Sequence, residues 1–278
     1  MKKIAIQGAK GSYHDIAAHH CFPKEEIELI CCATFEEVLN CVKKDGEVLA
    51  LMAIENTIAG SLLQNHELIK NSGVHIIKEY KLHISHSIVC LPDEDWTDIV
   101  EVNSHPIALM QCRDFLRHHP AMKVVEAEDT ALSAQLISQQ QLKGHAAICS
   151  RYAGELYGLK VLQEGIETNP HNFTRFLLVA DAWESEKWKP ASLLTDKSSI
   201  VFSLPHSEGS LSQVLSIFSF YKINLTKIQS LPIIGREWEY LFYVDVTFDD
   251  YVRYQQSISA ITPLTKELKI LGEYISIK

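Results

Sequence analysis

Four short polar segments hold the residues best suited to chemistry, and each borders an apolar run. Asn172-Phe173-Thr174-Arg175-Phe176 leads into Leu177-Leu178-Val179-Ala180 and combines a hydroxyl donor with a guanidinium suited to a carboxylate. An exposed strand end would carry the same residues. Glu55-Asn56-Thr57-Ile58-Ala59-Gly60-Ser61 follows the apolar run Leu49–Ile54, where ligands of open α/β sheets bind beyond strand carboxyl ends. On spacing alone, a solvated loop with a helix cap at Thr57 or Ser61 is the favoured reading. Gly8-Ala9-Lys10-Gly11-Ser12 joins a strand-like run to a helical one and could cradle an anion on backbone N–H groups. It lacks the spacing and the Lys-Ser or Lys-Thr of a P-loop, and a plain turn is the alternative. Asn103-Ser104-His105-Pro106, with Gln111 and Cys112 beyond it, offers His105 as a general base or simply as a capping residue.

The remaining histidines are less suggestive. His19-His20 and His118-His119 are adjacent pairs that diverge on a helix, and His83 and His86 would face opposite sides of a strand. None of the seven cysteines falls in a C-x-x-C pair, and Cys31-Cys32 are adjacent. Reduced thiols are expected, with neither a disulfide framework nor a metal site.

The elements that must position these segments alternate. Strands are expected at 3–7, 49–54, 75–89, 99–102, 124–127, 146–149, from 161, and at 176–180; helices at 13–21, 35–42, 61–70, 107–118, 130–140 and 150–157. Thr34 and Asp129 are expected caps. That order implies a mostly parallel sheet with helices on its faces. Residues 181–197 show no clean periodicity and read as a linker. Beyond them, strands at 199–204, 223–231, 238–248 and 268–275 with helices at 209–221 and 250–261 give βαββαβ, the ferredoxin-like arrangement.

Composition narrows the function. A net charge of −9 argues against nucleic acid, while 46% hydrophobic and 22% charged residues suit a globular fold. The N-terminal apolar run is too short for a secretory signal and none reaches membrane-spanning length. A cytoplasmic protein with no membrane partner is expected.

Taken in order, the segments resemble prephenate dehydratase over essentially the whole chain. The resemblance is carried by Gly8 to Tyr13, Ile54-Glu55-Asn56-Thr57 through Gly60-Ser61, Ser104-His105-Pro106 with Gln111-Cys112, Asp129-Thr130-Ala131, Ala147-Ile148-Cys149-Ser150, Tyr157-Gly158-Leu159 and Asn172-x-Thr174-Arg175-Phe176. The C-terminal part resembles an ACT domain through Gly209-Ser210-Leu211 and Ile223-Asn224-Leu225-Thr226-Lys227-Ile228. The resemblance implies a two-lobed α/β catalytic domain of periplasmic-binding-protein type at 1–182, a linker at 183–197 and an ACT regulatory domain at 198–278.

It also implies the reaction: prephenate loses water and carbon dioxide to give phenylpyruvate, on the way to phenylalanine, without a cofactor. Thr174 is implied at the departing hydroxyl. Ser12, Asn56, Thr57, Ser104, Gln111, Thr130, Arg175 and Phe176 are implied around the substrate, the roles of Arg175 and Glu55 staying open. Gly209, Ser210, Leu211, Asn224 and Leu225 are implied around L-phenylalanine as inhibitor, in a homodimer or homotetramer. Two departures weaken the effector half. Gly-Ser-Leu stands for the usual Gly-Ala-Leu, and Gln229-Ser230-Leu231-Pro232 for Glu-Ser-Arg-Pro. Ala53 for Pro and Thr57 for Ser leave the chemistry intact. Arogenate dehydratase shares the pattern; a solute-binding module and a regulatory protein with a decayed catalytic domain are the non-enzymatic alternatives. A fused chorismate mutase is not expected, since the first strand opens the chain.

Overall fold

A computed structural model describes residues 1–277. The chain divides into two compact units. One comprises Met1–Cys41, Val48–Leu62 and Tyr80–Phe176; the other comprises Val42–Glu47, Leu63–Glu79 and the chain from Leu177 on.

The chain begins with β1 (Lys2–Gln7), α1 (Tyr13–Cys21), β2 (Ile27–Cys32), α2 (Phe35–Lys44), β3 (Leu49–Asn56), β4 (Gly60–Ser61), α3 (Leu63–Ser72) and β5 (His75–His83). It continues through β6 (Ser87–Cys90), β7 (Glu101–Ser104), α4 (Pro106–Gln111), α5 (Arg113–His118), β8 (Lys123–Glu126), α6 (Thr130–Gln140), β9 (His145–Cys149), α7 (Arg151–Leu156), β10 (Lys160–Glu164) and β11 (Phe173–Ala180). These strands form two sheets rather than one. The first runs β2-β1-β3-β11-β5, with β4 beside β3, and the second runs β10-β6-β9-β7-β8. Both are mixed: β1 is parallel to β2 and β3 while β4 is antiparallel to β3, and β7 is parallel to β8 and β9 while β6 is antiparallel to β9 and β10. The expected parallel pairing therefore holds only in part.

The second sheet shows why its helices lie where they do. Ala146 and Ile148 pack with Ile88, Val102 and Leu109, while their neighbours Ala147 and Cys149 pack with Val89, Ala134 and Ala153. Successive side chains on a strand point to opposite faces, so an unbroken apolar strand must be covered on both. Strand β2 is not among the strands expected from the sequence, although Leu29-Ile30-Cys31-Cys32 is apolar; it is an edge strand that pairs in parallel with β1.

The helices start where the strands end, on side-chain caps. Ser12 Oγ accepts from Asp15 N–H, Asp129 Oδ1 from Leu132 N–H, His105 Nδ1 from Ile107 N–H and Ser150 Oγ from Ala153 N–H. Gly8, at φ +97°, lies against the Asp129 carboxylate: a Cβ there would sit 2.7 Å from Asp129 Oδ2. Only glycine permits both that φ and that approach.

From Leu177 on, the chain completes β11 and adds α8 (Ala182–Glu186), β12 (Lys197–Ser203), α9 (Ser210–Phe220), β13 (Asn224–Pro232), β14 (Tyr240–Thr247), α10 (Tyr251–Ile261) and β15 (Glu267–Tyr274). Helix α8 falls in the stretch read as irregular; Asp181 Oδ1 starts it by accepting from Glu184 N–H, but five residues are too few to show a period. The antiparallel sheet order is β13-β14-β12-β15, which with α9 and α10 makes the expected βαββαβ fold. One face packs Ile200, Phe202 and Val244 on Val214, Phe218 and Tyr254 of the helices. On the other, Lys197 Nζ donates to both carboxylate oxygens of Glu79, at 2.9 and 2.8 Å, and Lys227 Nζ lies 2.8 Å from His66 Nε2.

Candidate active site

A cavity of about 320 Å³ opens in the first unit where the ends of β1, β3 and β7 and the start of β11 meet the N-termini of α1, α4 and α6. Of the residues expected at a site, Ser12, Asn56, Gln111, Thr130, Thr174 and Phe176 line it. Three do not. Ser104 is fully buried, and its hydroxyl donates to the Ile148 carbonyl at 2.6 Å, tying β7 to β9. Thr57 Oγ1 donates to the His171 carbonyl and accepts from Phe173 N–H, at 3.1 and 2.9 Å, and so clamps the approach to β11. Arg175 is half-buried on β11 and points away from the lining, as alternation between Thr174 and Phe176 requires.

Three side-chain amides close a hydrogen-bonded ring beside the cavity. Asn56 Nδ2 donates to Asn172 Oδ1 at 2.8 Å, Asn172 Nδ2 to Gln111 Oε1 at 3.0 Å, and Gln111 Nε2 to Asn56 Oδ1 at 3.3 Å. The direction around the ring is fixed by the backbone: Asn56 Oδ1 also accepts from Ile58 and Ala59 N–H, at 2.9 and 2.8 Å. Those donors can meet only an oxygen, so the Asn56 NH₂ must face the other way. There it reaches Thr174 Oγ1 at 3.0 Å. The Thr174 oxygen is thus an acceptor, which leaves its own proton to be donated elsewhere, and Thr174 lines the cavity.

The rest of the lining mixes apolar residues such as Leu62, Ile84 and Ala108 with polar ones and is poor in cations. Among the described residues, no lysine or arginine lines it, while Glu128 and Asp129 do. Burial raises the Asp129 pKa above the usual carboxylate value, against the opposing pull of the Leu132 and Ala131 N–H groups and His105. Burial lowers the His14 pKa to about 4, so this imidazole is neutral near pH 7, and its Nε2 has no hydrogen-bond partner among the described residues. The ring stands edge-on to Phe176, 5.0 Å away. Burial likewise lowers the His86 pKa and raises that of Tyr13.

Sequence reasoning did not single out Tyr13, His14, His86, Asp129 or Asn172 as site side chains. Asp129 was read as a cap, which it is, and Asn172 stood within a quoted motif; both carried a signal. His86 carried none, because a strand histidine looks alike facing a site or a core. Among the described residues, no group of three or more His, Cys, Asp and Glu is placed to hold a metal ion.

Residues 4–183 match the family model described as prephenate dehydratase. The chain belongs to the prephenate dehydratase family. Its members are carbon–oxygen lyases, and this chain is an enzyme of that class. It is 33% identical to "Arogenate dehydratase 2" of Petunia hybrida, over 99% of this chain and 72% of that one. Two solved structures share the fold across its length. Prephenate dehydratase in complex with L-Phe from Arthrobacter aurescens has a TM-score of 0.85 and 26% identity, covering 99% of this chain and 90% of that one. GqqA, described as a novel type of quorum-quenching acylase, has a TM-score of 0.86 and 25% identity, covering 99% and 98%.

The residues expected around an effector lie in the second unit of this prephenate dehydratase family chain. Gly209 caps α9 at φ +76°, and Ser210 Oγ donates locally to the Pro205 and Ser207 carbonyls. Leu211 and Leu225 pack against the sheet–helix core, and Asn224 Nδ2 donates to Thr247 Oγ1 at 3.3 Å.

Proposed function

We propose that the chain catalyses the decarboxylating dehydration of prephenate to phenylpyruvate, with Thr174 at the departing hydroxyl. The carrying observation is the Asn56 amide on the Thr174 oxygen, which turns the threonine into a donor aimed at the cavity. The electron pair of the ring carbon–carboxylate bond becomes the new ring double bond as the opposite hydroxyl leaves. Carbon dioxide departs, the hydroxide takes up one proton from solvent, and the ring is aromatic. A hydrogen bond from Thr174 stabilises charge growing on the leaving oxygen. No cofactor is required, since aromatisation supplies the driving force.

The charge pattern of the lining supports this chemistry. A carboxylate that must leave as neutral carbon dioxide gains nothing from a cation held against it, which would stabilise the ground state more than the transition state. Backbone N–H groups at the starts of α1 and α6, beside Ser12 and Thr130, are the donors we assign to the carboxylates. Asn56 and Gln111 are assigned to orienting the reacting end rather than to gripping an anion, because their amides are engaged in the ring. Phe176, with its edge-on contact to His14, is assigned to the apolar wall against the substrate ring. Ser104, Thr57 and Arg175 are assigned to holding this frame. An acylase would need a nucleophile with a base beside it. The neighbour of Thr174 is an amide donor, which strengthens the hydroxyl as a donor and does not draw its proton.

One observation favours a second substrate. Arogenate carries an ammonium where prephenate carries a keto group, and Glu128 and Asp129 line the cavity without a lysine or arginine there. Incubating the protein with each compound and following ring aromatisation by ultraviolet absorbance decides between them; product from neither rejects the enzyme reading.

We assign 1–182 to the catalytic domain, 183–197 to the linker and 198–278 to an ACT regulatory domain that binds L-phenylalanine through Gly209, Ser210, Leu211, Asn224 and Leu225. The L-Phe complex of the Arthrobacter relative supports this assignment. Strand β13 is a sheet edge with exposed Ile228, and Ile234 follows it 91% exposed, a surface suited to pairing in a homodimer or homotetramer. A cytoplasmic location fits the described residues, where no helix is long and apolar enough to cross a membrane. Activity unchanged by millimolar phenylalanine would refute the regulatory assignment.

A further inference from the structure

His86 is 2% exposed and stands outside the amide ring, yet touches it at one atom. Its Nε2 lies 2.8 Å from Gln111 Oε1, and its Nδ1 lies 2.8 Å from the Tyr13 hydroxyl. The Tyr13 hydroxyl also donates to the Ser85 carbonyl, at 2.9 Å. Glu167 Oε2 holds the His86 backbone by accepting its N–H at 2.8 Å.

The ring direction decides the histidine proton. Because Asn56 Oδ1 takes the Ile58 and Ala59 N–H groups, Gln111 must give Asn56 its NH₂ and turn its oxygen toward Asn172 and His86. An amide oxygen accepts, so His86 must donate from Nε2. A neutral imidazole has one N–H, which leaves Nδ1 bare, so the single Tyr13 hydroxyl proton is shared between Nδ1 and the Ser85 carbonyl. The weakest bond of the ring, at 3.3 Å, is the one Gln111 makes to Asn56, so Gln111 depends on its other partners to stay in place.

We propose that His86 is a positioning residue for the reaction: as the Nε2–H tautomer it locks the Gln111 amide, and through Asn56 it keeps the Thr174 proton aimed into the cavity. The catalytic part rests on the role assigned to Thr174 above; the tautomer does not. Burial, by disfavouring the imidazolium, works in the same direction. In His86→Leu, Gln111 Oε1 loses its nearest donor and is left to Asn172 Nδ2, and the Tyr13 hydroxyl is left to the Ser85 carbonyl, so both are held more loosely. In His86→Gln, a side-chain NH₂ can replace the Nε2–H.

Two measurements test this. Long-range ¹H–¹⁵N correlation of the histidine rings near neutral pH, with His86 assigned by its absence in His86→Gln, is expected to show a neutral ring protonated on Nε2. Steady-state kinetics on whichever of prephenate and arogenate is turned over should show kcat of His86→Leu down about tenfold or more with KM changed much less, and His86→Gln recovering most of it. Circular dichroism establishes that both variants fold. Protonation on Nδ1, unchanged turnover in His86→Leu, or equal loss in both variants would overturn the proposal. Wild-type inactivity on both compounds would overturn the proposed function instead, and the ring-nitrogen spectrum would still judge the tautomer.

Discussion

The Asn56 side chain donates to the Thr174 hydroxyl oxygen at 3.0 Å across a sequence separation of 118 residues. That single bond makes a residue on β11 dependent on the last residue of β3. A threonine hydroxyl is a poor acid, so orientation is most of what the protein can give it.

Replacing Thr174 with valine keeps the shape and removes the donor. Turnover should fall by about 10² or more with a smaller change in KM, because the bond strengthens only as charge grows on the leaving oxygen. Steady-state kinetics that find near-normal turnover would remove Thr174 from the reaction.

Asn56→Asp is nearly isosteric but replaces the NH₂ with an acceptor. The Ile58 and Ala59 N–H groups keep their oxygen, while Asn172 Oδ1 and Thr174 Oγ1 lose their donor. Turnover is expected to drop by about 10² and the melting temperature to fall, since a buried carboxylate now faces two oxygens. Retained activity with Thr174 intact would show that the aim of the hydroxyl does not matter.

The buried imidazole of His14 makes stability depend on pH. Its folded pKa of about 4 lies below the ordinary histidine value of 6.5. Between those values the unfolded chain binds a proton that the folded chain refuses. Stability is therefore complete above pH 6.5 and is lost as pH falls toward 4. The loss is at most about 3 kcal/mol, less whatever solvent reaching the ring recovers. His86 and His75 are shifted the same way and add to the wild-type slope. Urea unfolding across this window should show a shallower slope in His14→Asn than in wild type; identical slopes would contradict it.

In the second unit, Glu79 and Lys197 are 4% and 9% exposed and form a two-pronged ion pair. Lys197→Met leaves the Glu79 carboxylate buried without its main counter-charge and should cost roughly 3–5 kcal/mol. The double variant Glu79→Met, Lys197→Met should recover much of that. Denaturant midpoints of the three proteins give the comparison, and a cost under about 1 kcal/mol for the single change would show a pair that water already screens.

Gly272 is held by close packing rather than by an unusual backbone angle. A Cβ there would lie 2.2 Å from the Ile76 carbonyl oxygen and 2.6 Å from Ile76 Cβ. Backbone cannot swing aside as a side-chain tip can, so Gly272→Ala should destabilise by about 3 kcal/mol. A thermal midpoint equal to wild type would mean that β15 shifts freely.

The sequence alone determined whatever depends on near neighbours. An apolar run such as Leu49–Ile54 must be a buried strand, and β3 is buried along nearly all its length. Asp129 before Thr130–Gln140 must be a cap, and it accepts the Leu132 N–H. The C-terminal βαββαβ order followed from alternating periods, with ends displaced by a residue or two. The ordered motifs likewise pointed to Thr174, Asn56 and Gln111, which line one cavity. Only the tertiary structure decided which way their neighbours face. Ser104 and Gln111 belong to one motif, yet the serine hydroxyl is turned to the Ile148 carbonyl while the glutamine joins the ring. His86 meets Gln111 from 25 residues away, and Asn172 meets Asn56 from 116. Propensity and periodicity act within a few residues of chain. The direction of a side-chain amide is set by whichever donors the sheet order brings against it, and here those are the N–H groups of Ile58 and Ala59.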